Sequence, residues 1–148
     1  MGLEVGARVH ARLPAGAADY VEASVGGLEL LHVVEGFTRV LILDAVVPGR
    51  LEPGVVAEFP PEDLEGRYAP ITPHNAGLGT CLAFGRACGL AMPEEVRVFA
   101  IGVRDPYTLG ERCTEEVAAA IPRIVDEVWA RVFGPGGCWA RLASSACD

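Results

Sequence analysis

The chain has 148 residues, 51% hydrophobic and 22% charged, with a formal net charge of −8 and twelve basic residues that are all Arg. That length suits one domain with a substantial core, and the composition argues against disorder. The acidic balance argues against nonspecific binding to nucleic acid or anionic membranes. No apolar run approaches the roughly 20 residues of a membrane span, and no basic stretch followed by an apolar run marks a signal peptide; a cytoplasmic protein is expected.

In chain order, Val5 to Leu13 has helical spacing, with Val5, Val9 and Leu13 on one stripe, and Pro14, Ala15 and Gly16 end it. Asp19 to Ser24 reads as a short strand. Gly26 and Gly27 form a turn, and Leu28 to Val34 reads as a helix closed by Gly36. Arg39 to Val46 is the clearest strand, apolar enough to be a central parallel strand buried on both faces. Pro48 to Pro53 is a loop, Gly54 to Phe59 a short edge or hairpin strand, and Pro60 to Pro73 a surface segment.

Gly77 to Cys88 is helical, with Leu78, Cys81, Leu82 and Gly85 inward and Gly89 as the residue that ends it. Glu95 to Val103 is a further strand. Thr114 caps a last helix through Ile121, Ile124, Val125 and Val128, in which Pro122 should cause a kink or a restart. From Phe133 onward the chain is rich in Gly and Ser and is expected to be a loose tail. This alternation predicts an α/β fold: a three-layer α/β/α sandwich with a mostly parallel, twisted sheet. Such folds usually begin with a strand, and here a helix comes first.

Five scattered cysteines, Cys81, Cys88, Cys113, Cys138 and Cys147, have no C-x-x-C spacing, which argues against a zinc knuckle and a disulfide framework. Cys81 and Cys88 share a helical face and read as small core residues. His10, His32, Tyr20, Trp129 and Trp139 read as surface or packing residues. Ser24, Ser144 and Ser145 stand in no G-x-S-x-G elbow.

The chemistry concentrates elsewhere. Asp44 ends the apolar run Arg39-Val40-Leu41-Ile42-Leu43, and His74 stands thirty residues later in the loop Thr72-Pro73-His74-Asn75-Ala76-Gly77. A strand-ending carboxylate lies at the sheet edge where open α/β folds bind ligands. A hard oxygen with a borderline nitrogen is a reasonable start for a divalent transition-metal site. Alone, Asp44 also reads as a loop-ordering carboxylate and His74 as a loop histidine bonded to backbone.

Seven segments stand in a telling order: Val5-Gly6-Ala7-Arg8-Val9, Val21 to Leu31 with its Gly26-Gly27-Leu28 turn, Leu43-Asp44-Ala45-Val46, Pro53-Gly54, Thr72 to Leu78, Val98 to Val103, and Gly110-Glu111 followed by Thr114 to Val117. In these the chain resembles the hydrogenase maturation proteases, endopeptidases that trim the C-terminus of the nickel-iron hydrogenase large subunit. The segments span about residues 4 to 130, and their order and spacing make the combination specific. The resemblance implies a protease-like domain over residues 1–133 with a tail over 134–148, an aspartic-type hydrolase, and a hydrogenase large-subunit precursor as partner. It implies no nucleic acid, no membrane, and action as a monomer. It also implies nickel, brought by the precursor, engaged by an acidic residue near the N-terminus, by Asp44 and by His74.

The match departs from the family at the start. The family's first central strand and its Gly-Asn loop have no counterpart, and Leu3 aligns where the acidic ligand should stand, with Glu4 one residue on. Three accounts compete: a start codon assigned too late, a degenerate relative that binds the precursor without cleaving it, or Glu4 serving as the ligand. The first is favoured because the rest of the core reads as intact. Without that strand, apolar edges would be unpaired and the chain poorly soluble.

Overall fold

A computed structural model describes residues 1–46, 49–64, 76–104 and 115–144. The elements are α1 (Gly2–His10), a 3-10 turn (Gly27–Glu29) leading into α2 (Leu30–Val34), β1 (Arg39–Val46), β2 (Val56–Phe59), a 3-10 turn (Pro61–Leu64), α3 (Leu78–Ala87), β3 (Glu95–Gly102), α4 (Glu115–Val132) and α5 (Ala140–Ser144). The fold is α/β, with a three-stranded sheet in the order β1-β3-β2 among the described residues.

The sheet is mixed, where a mostly parallel one is expected from the sequence. Glu94 donates to the Thr38 carbonyl at 3.0 Å and Val103 to the Val46 carbonyl at 3.4 Å, so β1 and β3 advance together and are parallel. Gly54 donates to Gly102 at 2.9 Å and Gly102 to Val55 at 2.8 Å. Farther along, Arg97 forks onto Glu58 with two bonds of 2.6 Å. The β2–β3 pair is therefore antiparallel. The central strand is β3, whose residues Val98 to Gly102 are all buried. β1 has the bounds expected for it, yet only Val46 is buried; among the described residues the strand has a neighbouring strand on one side only.

The chain divides into two compact units. The first holds Met1–Tyr20, Leu43–Ala57 and Ala100–Asp148. In it α1 packs against α4, burying Val5 and Val9 with Ile121, Ile124, Val125, Val128 and Val132. α1 stops at His10, short of Leu13. Arg12 and Leu13 instead make tighter bonds to the Val9 and His10 carbonyls, and Pro14 disfavours helical geometry at the residue before it. Arg12 also reaches Asp126 at 2.7 Å. α4 runs through Pro122 without a restart; Pro122 lies on the exposed side, where the lost amide bond leaves its carbonyl acceptor to water.

Residues 134–144, expected as slack, are turned back on α4. Gly136 has φ +85°, Trp139 donates to the Val132 carbonyl at 2.8 Å, and its ring meets Phe133 edge-on at 6.1 Å. The glycines supply the turn that buries Trp139, and α5 follows it.

The second unit holds Val21–Ile42 and Glu58–Phe99. Its core is Val34, Leu78, Leu82 and Val98, backed by Leu30, Val40, Ile42, Met92 and Val96. α3 presents Leu78, Cys81, Leu82 and Gly85 inward as its periodicity predicts, and Gly89 follows with φ +77°. Gly85 lets Met92 pack close: a Cβ there would lie 2.7 Å from the Met92 sulfur, so that side chain would have to shift. The strand expected over Asp19 to Ser24 does not form. Residues 21–26 are exposed and outside regular structure, because alternation alone makes no strand without a ladder partner. Cys88 is exposed beyond the end of α3, not on the face of Cys81.

Candidate active site

Asp44 lies in β1, two residues from its carboxyl end, with its side chain exposed. Its Oδ1 accepts the Ala45 amide at 2.8 Å, which orients the carboxylate and leaves Oδ2 without a partner among the described residues. Strand alternation separates it from Leu43, whose Cδ1 lies 3.7 Å from where a Gly6 Cβ would stand on α1.

The first turn of α1 sits directly on this strand end. A Cβ on Gly2 would collide with the Leu43 carbonyl oxygen and lie 3.3 Å from the Asp44 Cα, so only glycine fits. Glu4, in the same turn, is engaged along the helix by Arg8 at 2.8 Å, an exposed i, i+4 pair. Leu3 is 47% exposed, and its carbonyl accepts the Tyr20 hydroxyl at 2.9 Å.

His74 lies outside the described residues, as do Thr72, Pro73, Asn75 and the Thr114 cap. Among the described residues no three His, Cys, Asp or Glu side chains converge. Gly27, with φ +59°, serves the backbone turn before α2.

Cys81 is no nucleophile by its surroundings. It is buried, its thiol contacts the Ala76 carbonyl at 3.6 Å, and burial pushes its pKa up, away from the thiolate. His10 is held by the Ala18 carbonyl at 3.1 Å and stacks on Tyr20, as a packing residue should.

What remains is an exposed carboxylate near the carboxyl end of a strand in an α/β fold, the end at which such folds bind ligands. A profile of the HycI hydrogenase maturation protease family matches residues 5–131, and the chain belongs to that family, a family of peptidases. Among solved structures, the hydrogenase maturating endopeptidase HybD from E. coli is similar over 88% of this chain and 83% of its own, at 25% identity and a TM-score of 0.55. The solution structure of an endopeptidase from Escherichia coli is similar over the same shares, at 24% identity and a TM-score of 0.54. No curated protein matches significantly by sequence. No helix among the described residues is long and apolar enough to cross a membrane.

Sequence reasoning did not foresee the contact of α1 with the strand end. The only signal for it is the pair Gly2 and Gly6, four residues apart and hence on one helix face.

Proposed function

We propose that this chain hydrolyses a single peptide bond near the C-terminus of a hydrogenase large-subunit precursor that already carries nickel. Asp44 carries the proposal: it is exposed near a strand end, with Oδ1 held by the Ala45 amide and Oδ2 available. Asp44 and His74 then grip the nickel of the substrate, two protein ligands leaving positions for the substrate's own groups. Water adds to the scissile carbonyl, the C–N bond breaks, and a carboxylate and an amine leave. The nickel orients the amide or polarises it.

A second reading rests on Glu4. It stands one residue past the place that the resemblance gives the N-terminal acidic ligand, and its carboxylate pairs with Arg8 at 2.8 Å. On that reading the chain binds the precursor without cutting it.

The deciding experiment incubates the chain with precursor in nickel-loaded and nickel-free forms and takes the intact mass of the large subunit. Loss of a C-terminal peptide from the loaded form alone is expected. An unchanged mass for the loaded form, with a stable complex, supports binding without cleavage. Cleavage of both forms alike refutes the nickel grip.

A further inference from the structure

We infer that Tyr20 is a positioning residue for Asp44: it clamps the first turn of α1 onto the peptide that joins Leu43 to Asp44. The inference rests on the reading of Asp44 as a site residue, and its parts all lie in the first compact unit.

Tyr20 belongs to no helix or strand, yet it contacts α1 along its length. Its hydroxyl donates to the Leu3 carbonyl at 2.9 Å. Its ring lies over Gly6, with Cε2 3.1 Å from where a Cβ would be, and stacks on His10 at a centroid distance of 5.6 Å and 24° between planes. Leu3, Gly6 and His10 are spaced by three and four residues and so form one stripe of the helix. His10 is itself fixed by the Ala18 carbonyl, so the loop before Tyr20 and the ring of Tyr20 grip the same helix.

The other end of the grip is Gly2. Its Cα abuts the Leu43 carbonyl with no room for a methyl group. A turn held by Tyr20 on one side and seated against a strand carbonyl on the other has little freedom to shift. The Asp44 side chain has its hydrogen bond to the next amide, so its orientation follows that of its own backbone. Displacing the turn therefore moves the carboxylate without touching it.

The test compares wild type, Tyr20→Phe and Gly2→Ala by amide hydrogen exchange and by the amide resonance of Ala45, together with kcat and KM on precursor. Tyr20→Phe removes the hydroxyl and with it the bond to Leu3. It is expected to speed exchange at Val5, whose amide closes the first turn on the Met1 carbonyl, by roughly five- to tenfold. It should also shift the Ala45 resonance, leave the amides of β3 and α4 as they were, and lower kcat with KM unchanged. Gly2→Ala forces the turn off the strand from the other side and should shift Ala45 as well. If Val5 and Ala45 in Tyr20→Phe are as in wild type, the inference is overturned. It is equally overturned if β3 and α4 change as much as Val5, which is a general packing role. The exchange and resonance readouts decide the point even for a chain that cuts no precursor, so failure of the proposed function and failure of this inference are seen separately.

Discussion

Asp44→Asn separates function from folding. The carboxylate is exposed, and its hydrogen bond is to the neighbouring Ala45 amide, which an Asn Oδ1 accepts equally well. Among the described residues, nothing packs on the charge in a way that neutralising it would release. The stability change is therefore expected within about 0.5 kcal/mol, as for other surface substitutions away from special features. At about 2–4 °C per kcal/mol for a domain near this size, the melting temperature moves by no more than about 2 °C. An amide oxygen is a far poorer ligand for a divalent cation than a carboxylate. Since even groups behind the first ligands cost ~10–100-fold when removed, loss of this one should cost at least about a hundredfold in cleavage rate. Scanning calorimetry on the variant, and a time course of intact mass with nickel-loaded precursor, measure both quantities on one preparation. Cleavage at the wild-type rate refutes the role of Asp44. A fall in melting temperature of many degrees refutes the argument from exposure, because the carboxylate would then be part of what holds β1.

Three other expectations follow from packing. Pro122→Ala restores a backbone N–H hydrogen bond inside α4 at an exposed position and should stabilise the chain by about 1–2 kcal/mol, the helix gain of up to ~3 kcal/mol being offset by the freer unfolded chain; urea titration measures it, and no gain would mean that the Pro ring helps seat Ile121 and Ile124. Leu82→Ala opens the core shared by Val34, Leu78 and Val98 and should cost about 2–5 kcal/mol; a loss below 1 kcal/mol would mean that α3 closes the cavity by shifting. Cys81 should resist iodoacetamide in the native chain while Cys88 and Cys138 react, and label only on unfolding. Because its folded pKa is raised, the native state keeps the Cys81 proton at a pH where the unfolded state has lost it. Its contribution to stability is thus whole below the ordinary thiol pKa and is lost as pH rises above it. Urea midpoints at pH 7 and pH 10 should fall less in Cys81→Ala than in wild type.

What could be read from the residues follows the range of the forces involved. The inward positions of α3, Leu78, Cys81, Leu82 and Gly85, are legible because a helical face is written in spacings of three and four. The bounds of β1 are legible for the same local reason. Its place in the sheet is not: identical apolar content suits a central strand or an outer one, and pairing with residues some fifty positions away decides which. The pattern at residues 19–24 shows the same limit from the other side, since Val21, Ala23 and Val25 alternate as a strand should and remain exposed without a ladder. Trp139 was hidden by its surroundings, glycines that read as slack and act as a turn.

The site divides along this line too. The exposure of Asp44 near the end of β1 is legible because a carboxylate that interrupts an apolar run is a local feature of the sequence. Its support is not, because a tyrosine in a loop carries no mark of the carbonyl, seventeen residues earlier, that its hydroxyl reaches. The glycine pair on α1 is the nearest thing to a mark. Gly6 costs helix stability, up to about 1 kcal/mol relative to Ala in a helix interior, while Gly2 opens the helix. Gly2 seats the helix on the Leu43 carbonyl and Gly6 admits the ring of Tyr20. At Gly6 helix propensity is set aside for close approach, and both approaches bear on the strand end that carries Asp44.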